Sequence, residues 1–532
     1  MNTIALLTFL TITMGVALLS WIKTRKEQLN TLSGLFFANR NLGFIAVGCG
    51  LLFANINTAL FIGENELTYI NNMSVMAWGV TSVFAMLAVS EFIIPVYLKV
   101  GIATTPDFLA IRYDHQTKTI VTFIFLLNYI INLLPSVLYS GAVAFNGLFH
   151  FSDYYQIDYW STIWILVWIM GSIGGLYSFL GGLKAITVSD VLLGIGLYTG
   201  GLLLPFFALQ QLGQGSIGEG LHKVLSSNTS HLNSIGSSRD AIPFGTLFTG
   251  MLLVNLYYWG TEQYIVQQVL GSRNLANCQK GIALACLGKL LLPLLINIPG
   301  IIAVHIYASM PNSVEVFPRL VSDVSSPLYS GFMAALLFGA ALTTFNAGLN
   351  SSGTLFTLNI YKPLAIKRNW SLDEKDCLRV AKRFEFILCI VAMFIAPFIM
   401  FAKGGLYTYL QKIGGLFSVP IFTILIVGLL TKKVPALAAK IGLLFFVVAY
   451  TCTQMVFDVK LHFLHVLAIL FVVTTGIMLA IGRWRPMAVP FQLPENSLVD
   501  IKPWKNRHFY TVLLVIMAVL LFVLFSPLVL VK

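Results

Sequence analysis

A chain of 532 residues that is 57% hydrophobic and only 10% charged lacks the polar surface of a water-soluble domain, which averages about 25% charged. Its net charge of +12 does not mark a nucleic-acid binder, because the basic residues sit in short loops between apolar runs, the pattern that sets membrane topology. The class is an all-α polytopic membrane protein, and no long polar linker divides it into separate globules.

Apolar runs long enough to cross about 30 Å of hydrocarbon recur from end to end. We read fourteen spans: 4–22, 42–63, 72–98, 119–148, 159–180, 186–211, 243–268, 276–307, 327–360, 380–402, 405–430, 434–456, 459–482 and 509–530. The first is not a secretory leader. MNTIALL has no basic start, and Lys23, Arg25 and Lys26 follow the apolar run instead of preceding it, the reverse of a signal peptide. That order puts the N-terminus outside. Basic residues then fall on alternate loops: Arg112 with Lys118, Lys184, Arg273 with Lys280, the 362–383 loop, Lys432 with Lys433, and 483–507. The 149–158 loop has neither Lys nor Arg and lies outside. An even count places both termini outside, in the inner cell membrane. The Gly/Ser-rich 212–242 segment is expected to form an outer cap, and 483–507 to lie along the inner surface. Six cysteines (Cys49, Cys278, Cys286, Cys377, Cys389, Cys452) form no CxxC pair and read as small hydrophobes. His462 and His465 read as a structural or interfacial pair.

Polar groups inside spans are where function is expected. In LLFANINTALFIG, 51–63, Asn55 and Asn57 are two residues apart. On a helix they would point roughly 200° apart, so one packing seam cannot serve both. A break in the helix resolves this, freeing backbone groups that a membrane tolerates only beside a cavity or a ligand. Gly48, Gly50 and Gly63 bracket the region. A second stretch, 339–362, places Thr343, Asn346, Asn350 and Thr357 on one helical face. Adjacent Thr343 and Thr344 supply hydroxyls of the kind that bind a hard cation, although such hydroxyls often bond only their own helix. A third, NLYYWGTEQ, 255–263, combines an amide, three aromatics and an acid. The fourth is Lys289, deep in an apolar run and needing an anionic or dipolar partner, for which Glu262 is a candidate.

Together these stretches resemble the sodium/solute symporter family, which contains the sodium–glucose cotransporters. The resemblance runs from FFANRNLG at 36 to about residue 430. It rests on GIATTPDFLAIRYD (101–114), GGLKAITVSD (181–190), NLYYWGTEQYIVQQVL (255–270), KLLLPLLINIPG (289–300) and LNSSGTLFTLNIYK (349–362). LNSIG at 232–236 and IKPWKN at 501–506 are similar to the YidK-type branch of uncharacterised bacterial symporters. The resemblance implies a LeuT-type core of about 14 transmembrane helices, with two inverted five-helix repeats, 42–211 and 243–430, whose first helices are broken. Residues 1–41 would add a first helix and inner loop, 212–242 an outer loop, and 431–532 three further helices with an inner-surface segment at 483–508.

It also implies a Na⁺ site built from the backbone carbonyls of Phe53, Ile56 and Ala340 and the hydroxyls of Thr343 and Thr344, with Asp190 linked to coupling. The solute site would use Asn55, Asn255, Lys289 and Gln411, with Tyr258 as inner gate. The chain departs from sugar-carrying relatives at Gly79, where they have a glutamate, and at Leu60, where they have a glutamine; Glu64, Glu66 and Glu262 are additions. The expected function is sodium-coupled uptake of a small solute, a sugar or a related compound, by a monomer or weak oligomer in a lipid bilayer. It involves no catalytic chemistry and no nucleic acid. The alternatives are a proton-coupled or uncoupled carrier on the same fold, and a non-transporting solute sensor.

Overall fold

The computed structural model describes residues 2–24, 40–180, 183–370, 373–401, 406–457 and 459–531. Arg25, Lys26, residues 36–39 of FFANRNLG and Gly181–Gly182 of the 181–190 motif lie outside the described residues, as does the side chain of Lys184. Twelve described helices are long and apolar enough to cross a membrane, and a bent pair, Phe44–Asn55 with Thr58–Ile70, makes a thirteenth span. The expected span 243–268 is the exception. It is divided at Thr261 and Glu262 into Gly250–Gly260 and Gln263–Leu270, so neither piece is long enough to cross alone.

Burial separates centre from rim. The Pro327–Lys367 span has 94% of its apolar window buried and Leu275–Ile306 has 67%, against 17% for Thr3–Lys23 and 11% for Arg507–Leu524. The two central spans are therefore walled by protein, and the terminal pair faces lipid. Where prolines enter these helices the turn widens: Pro293–Asn297 forms a π-turn inside Leu275–Ile306, as expected where a ring removes one backbone donor.

In the 212–242 region, a helix at Ile217–Ser226 starts on a Ser216 cap. His462 caps the Phe463–Trp484 helix: its Nδ1 accepts from the Leu464 amide, so Nε2 donates to the Ala241 carbonyl at 3.1 Å. Burial pushes its pKa down to about 4, consistent with a neutral structural histidine, and His465 meets the Thr249 hydroxyl at 3.0 Å. In the 483–507 segment, the Met487 and Phe491 amides donate to the Lys433 and Lys432 carbonyls. Asn496 bonds Lys99, Asp500 bonds Leu275, and Arg507 pairs with Glu91 at 3.1 Å.

Asn57 sets the start of the outer half-helix. Its backbone is extended (φ −101°, ψ 172°) and its side chain accepts from the Leu60 amide at 2.8 Å, an N-cap inside a membrane span. Asn57→Ala leaves that amide without a partner and is expected to lower stability by about 1 kcal/mol, read as a drop in the thermal unfolding midpoint. An unchanged midpoint contradicts the capping role.

Candidate functional site

The break at 56–57 bends the two half-helices by 54°. Its backbone accounting is specific. The Asn57 amide turns to the Asn55 carbonyl at 2.9 Å and the Leu60 amide goes to the Asn57 side chain. The carbonyls of Phe53 and Ile56, which those amides would have met in a continuous helix, are thereby released from the ladder. Buried carbonyls without partners are costly, so these two are available to a ligand.

The Pro327–Lys367 span packs against this break. Thr58 Oγ1 donates to the Leu337 carbonyl at 2.7 Å, Thr344 Oγ1 to the Ala54 carbonyl at 3.5 Å, and Thr343 Oγ1 to the Ala340 carbonyl at 3.3 Å. The released carbonyls of one element and the adjacent hydroxyls of the other therefore meet at one level. Such an all-oxygen donor set suits a hard cation. Asp190 stands beside Thr343, is only 1% exposed, and neither of its carboxylate oxygens completes a hydrogen bond. One turn further on, a side chain at Gly194 would overlap the ring of Phe53. Gly194→Ala is thus expected to displace the 53–56 backbone and lower stability by about 1–3 kcal/mol, measured as the thermal unfolding midpoint. A wild-type value contradicts this.

Beside the break lies a polar cavity of ≈ 150 Å³. Asn55, Tyr258 and Gln411 line it, as do Asn128, Asn132 and Ser136 from the His115–Phe149 span and Tyr407 and Ser418 from Leu406–Leu430. Below it the aromatics close together: Tyr258 and Tyr264 share a hydroxyl–hydroxyl bond of 2.6 Å. Glu262, at the second break, accepts from Tyr129 at 2.5 Å and Tyr257 at 2.9 Å.

Two expected solute residues lie elsewhere. Asn255 points its amide at Thr81, 3.5 Å away, and is not in the cavity wall. Lys289 is 3% exposed, has its Nζ 5.7 Å from the Trp259 ring centre, and faces Glu64 as its neighbouring charge. Glu262 is therefore not the neighbouring acid of Lys289; Glu64 is. The sequence reading also missed Asn128, Asn132, Ser136 and Tyr407. The Asn128/Asn132/Ser136 spacing of four was a usable signal, since it aligns three polar groups on one face of an apolar helix.

Two interrupted helices meeting beside a cavity lined by amides, hydroxyls and aromatic rings define a fold of the LeuT type. The family model described as Sodium:solute symporter family matches residues 35–445. The chain belongs to the sodium:solute symporter family, and Na⁺ is the coupling ion. It is 40% identical over 506 residues to the uncharacterized symporter YidK of Escherichia coli, covering 95% of this chain and 88% of that protein. It is 29% identical to the sodium/glucose cotransporter of Vibrio parahaemolyticus, covering 82% and 81%, and 24% identical to the human sodium/myo-inositol cotransporter 2, covering 93% and 77%. Among solved structures, a substrate-bound outward-open Na⁺-coupled sialic acid symporter superposes with a TM-score of 0.78 at 16% identity, covering 92% of this chain and 99% of that one. The nucleobase-cation-symport-1 transporter Mhp1 superposes at 0.54 and 15%, covering 91% and 100%.

Proposed function

We propose that the protein takes up a sugar or sugar-related solute with sodium, across the inner cell membrane, by alternating access. The observation that carries this is the junction at 53–58: released carbonyls of Phe53 and Ile56 opposite the hydroxyls of Thr343 and Thr344, with a polar cavity directly beside it. In this reading Phe53, Ile56, Ala340, Thr343 and Thr344 hold Na⁺, Asp190 couples ion occupancy to the helix carrying Gly194, and Asn55, Gln411 and Tyr258 contact the solute. Asn255 and Lys289 act from behind that wall. Residues 42–211 and 243–430 form the two inverted repeats, each opened by one of the interrupted helices, and both termini lie outside.

An ion bound at the junction ties the broken helix to the Pro327–Lys367 span and so favours one arrangement of the two; solute and ion leave together when that arrangement is exchanged. One Na⁺ moving down about 100 mV supplies roughly 2.3 kcal/mol, and a tenfold gradient adds about 1.4 kcal/mol. Together these sustain roughly 500-fold accumulation of a neutral solute. The names of the glucose and inositol relatives support a sugar-like cargo, and so do the amide and hydroxyl groups of the wall. Gly79 and Leu60 remove two groups that a polyhydroxylated ligand would use, which narrows the range of cargo.

The test is uptake of labelled sugars, polyols and amino sugars by the purified protein in liposomes. Accumulation under an inward sodium gradient, abolished by a sodium ionophore, is the expected result. Accumulation driven equally well by a proton gradient without sodium contradicts the coupling.

A further inference from the structure

The cavity wall is unbalanced in charge and in hydrogen-bonding sense. Among the described residues, Glu262 is the one acidic or basic side chain that lines it. Its carboxylate is held in place: Oε1 accepts from Tyr129 and from the Gln263 amide, Oε2 from Tyr257, and the residue caps the Gln263–Leu270 helix. Among the described residues, no lysine, arginine or histidine acts on it as a neighbouring charge. Lys412, Lys460 and His462 border a separate depression on the adjoining face of the Leu406–Leu430 span.

The amides of the wall lean the same way. Asn132 spends its N–H on Asn128 at 3.2 Å, and Asn55 interacts with the Tyr258 hydroxyl. The carbonyl oxygens of both, Asn55 Oδ1 and Asn132 Oδ1, are buried without a partner. The cavity thus offers unfilled acceptors, one carboxyl group held in place and the rings of Tyr257, Tyr258, Tyr264 and Tyr407. An ammonium group has three donors, no acceptor and a positive charge, and it is attracted to aromatic faces.

We propose that Glu262 is a specificity-determining residue that selects a solute bearing a cationic nitrogen, an amino-substituted sugar or similar hydroxylated amine, over its neutral and anionic counterparts. This rests on the symport reading above, deepening it by naming the class of cargo. Ionising a buried carboxyl group without a cation is costly in a membrane, and the solute supplies the charge that stabilises the carboxylate at the moment of binding. Each cycle then moves the charge of the solute as well as that of sodium.

The experiment is a set of binding isotherms on the purified full-length protein in saturating sodium at pH 6.5, with glucosamine, glucose, glucuronate, ethanolamine and choline as probes. Cationic probes are expected to bind at least tenfold more tightly than glucose, with glucuronate weakest. Glu262→Gln is expected to bring glucosamine and glucose within about threefold of each other. Its sodium-induced thermal stabilisation reports that the variant is folded. Tyr129→Phe, which keeps the carboxylate but removes one of its donors, is expected to lower the preference partway and serves if Glu262→Gln does not fold. Equal or tighter binding of glucose or glucuronate, a preference that survives Glu262→Gln, or no binding by any cationic probe overturns the proposal. Binding of ethanolamine or choline without glucosamine sinks the sugar reading and leaves the charge selection standing. Loss of the sodium effect in the wild type sinks the symport reading alone.

Discussion

Thr344→Ala raises the sodium concentration needed for half-maximal uptake at least tenfold, with little change in the amount of folded protein. The side chain is fully buried, and its hydroxyl lies 3.5 Å from the Ala54 carbonyl. That distance is long for a hydroxyl bond, so the hydroxyl stabilises the empty protein only weakly. In the proposed site the same oxygen would be a ligand to Na⁺. Interactions of that kind are worth about 1.5–3 kcal/mol, or roughly 10- to 150-fold in affinity. Thr344→Ser keeps the oxygen and is expected to retain most of the sodium response. Uptake by the alanine variant with wild-type sodium activation would show that the ion sits elsewhere.

The largest expected effect on stability comes from the inner face. Arg112 is 1% exposed. Its guanidinium donates to the Gly428 carbonyl at 2.8 Å, the Thr431 carbonyl at 2.9 Å and the Val434 carbonyl at 3.1 Å. These carbonyls lie at and just beyond the C-terminus of the Leu406–Leu430 span, where the last turn has no helical donors of its own and the macrodipole favours a cation. The guanidinium carbon also lies 4.6 Å from the Tyr113 ring centre and 5.1 Å from that of Phe491, joining the inner segment to the span. Arg112→Ala leaves three buried carbonyls without donors and a cavity between two rings. We expect a loss of roughly 3–5 kcal/mol, measured by thermal unfolding in detergent. Arg112→Lys recovers only part, because an ammonium cannot reproduce the planar fork. A loss below about 0.5 kcal/mol would show that water reaches these carbonyls.

Much of the fold was legible because membranes impose strict rules. Length and apolarity locate thirteen of the fourteen expected spans among the described residues. The break at 56–57 was legible for a different reason: Asn55 and Asn57 cannot share a seam on a continuous helix. The division at Thr261 and Glu262 was not read from the residues, because aromatics on both sides keep 243–268 apolar and the polar pair looked like part of a binding cluster. The resemblance to the family carried that expectation instead. Side-chain partnerships across the bundle were the least legible. Glu64 and Lys289 are 225 positions apart, and nothing local tells Lys289 which of two buried acids it will face. Packing decides it, setting Glu64 beside Lys289. Likewise Asn255 is turned to Thr81 by the register of two packed helices, which no spacing within its own segment reveals.

The account rests on one junction, and equilibrium binding of radioactive sodium to the purified protein, without any solute, tests it most directly. The wild type is expected to bind sodium saturably, and Glu262→Gln to bind it unchanged. The double variant Thr343→Ala/Thr344→Ala, folded by its thermal profile, is expected to lose that binding. An isotherm in the double variant that overlays the wild type would contradict the placement of the ion between the broken helix and the Pro327–Lys367 span.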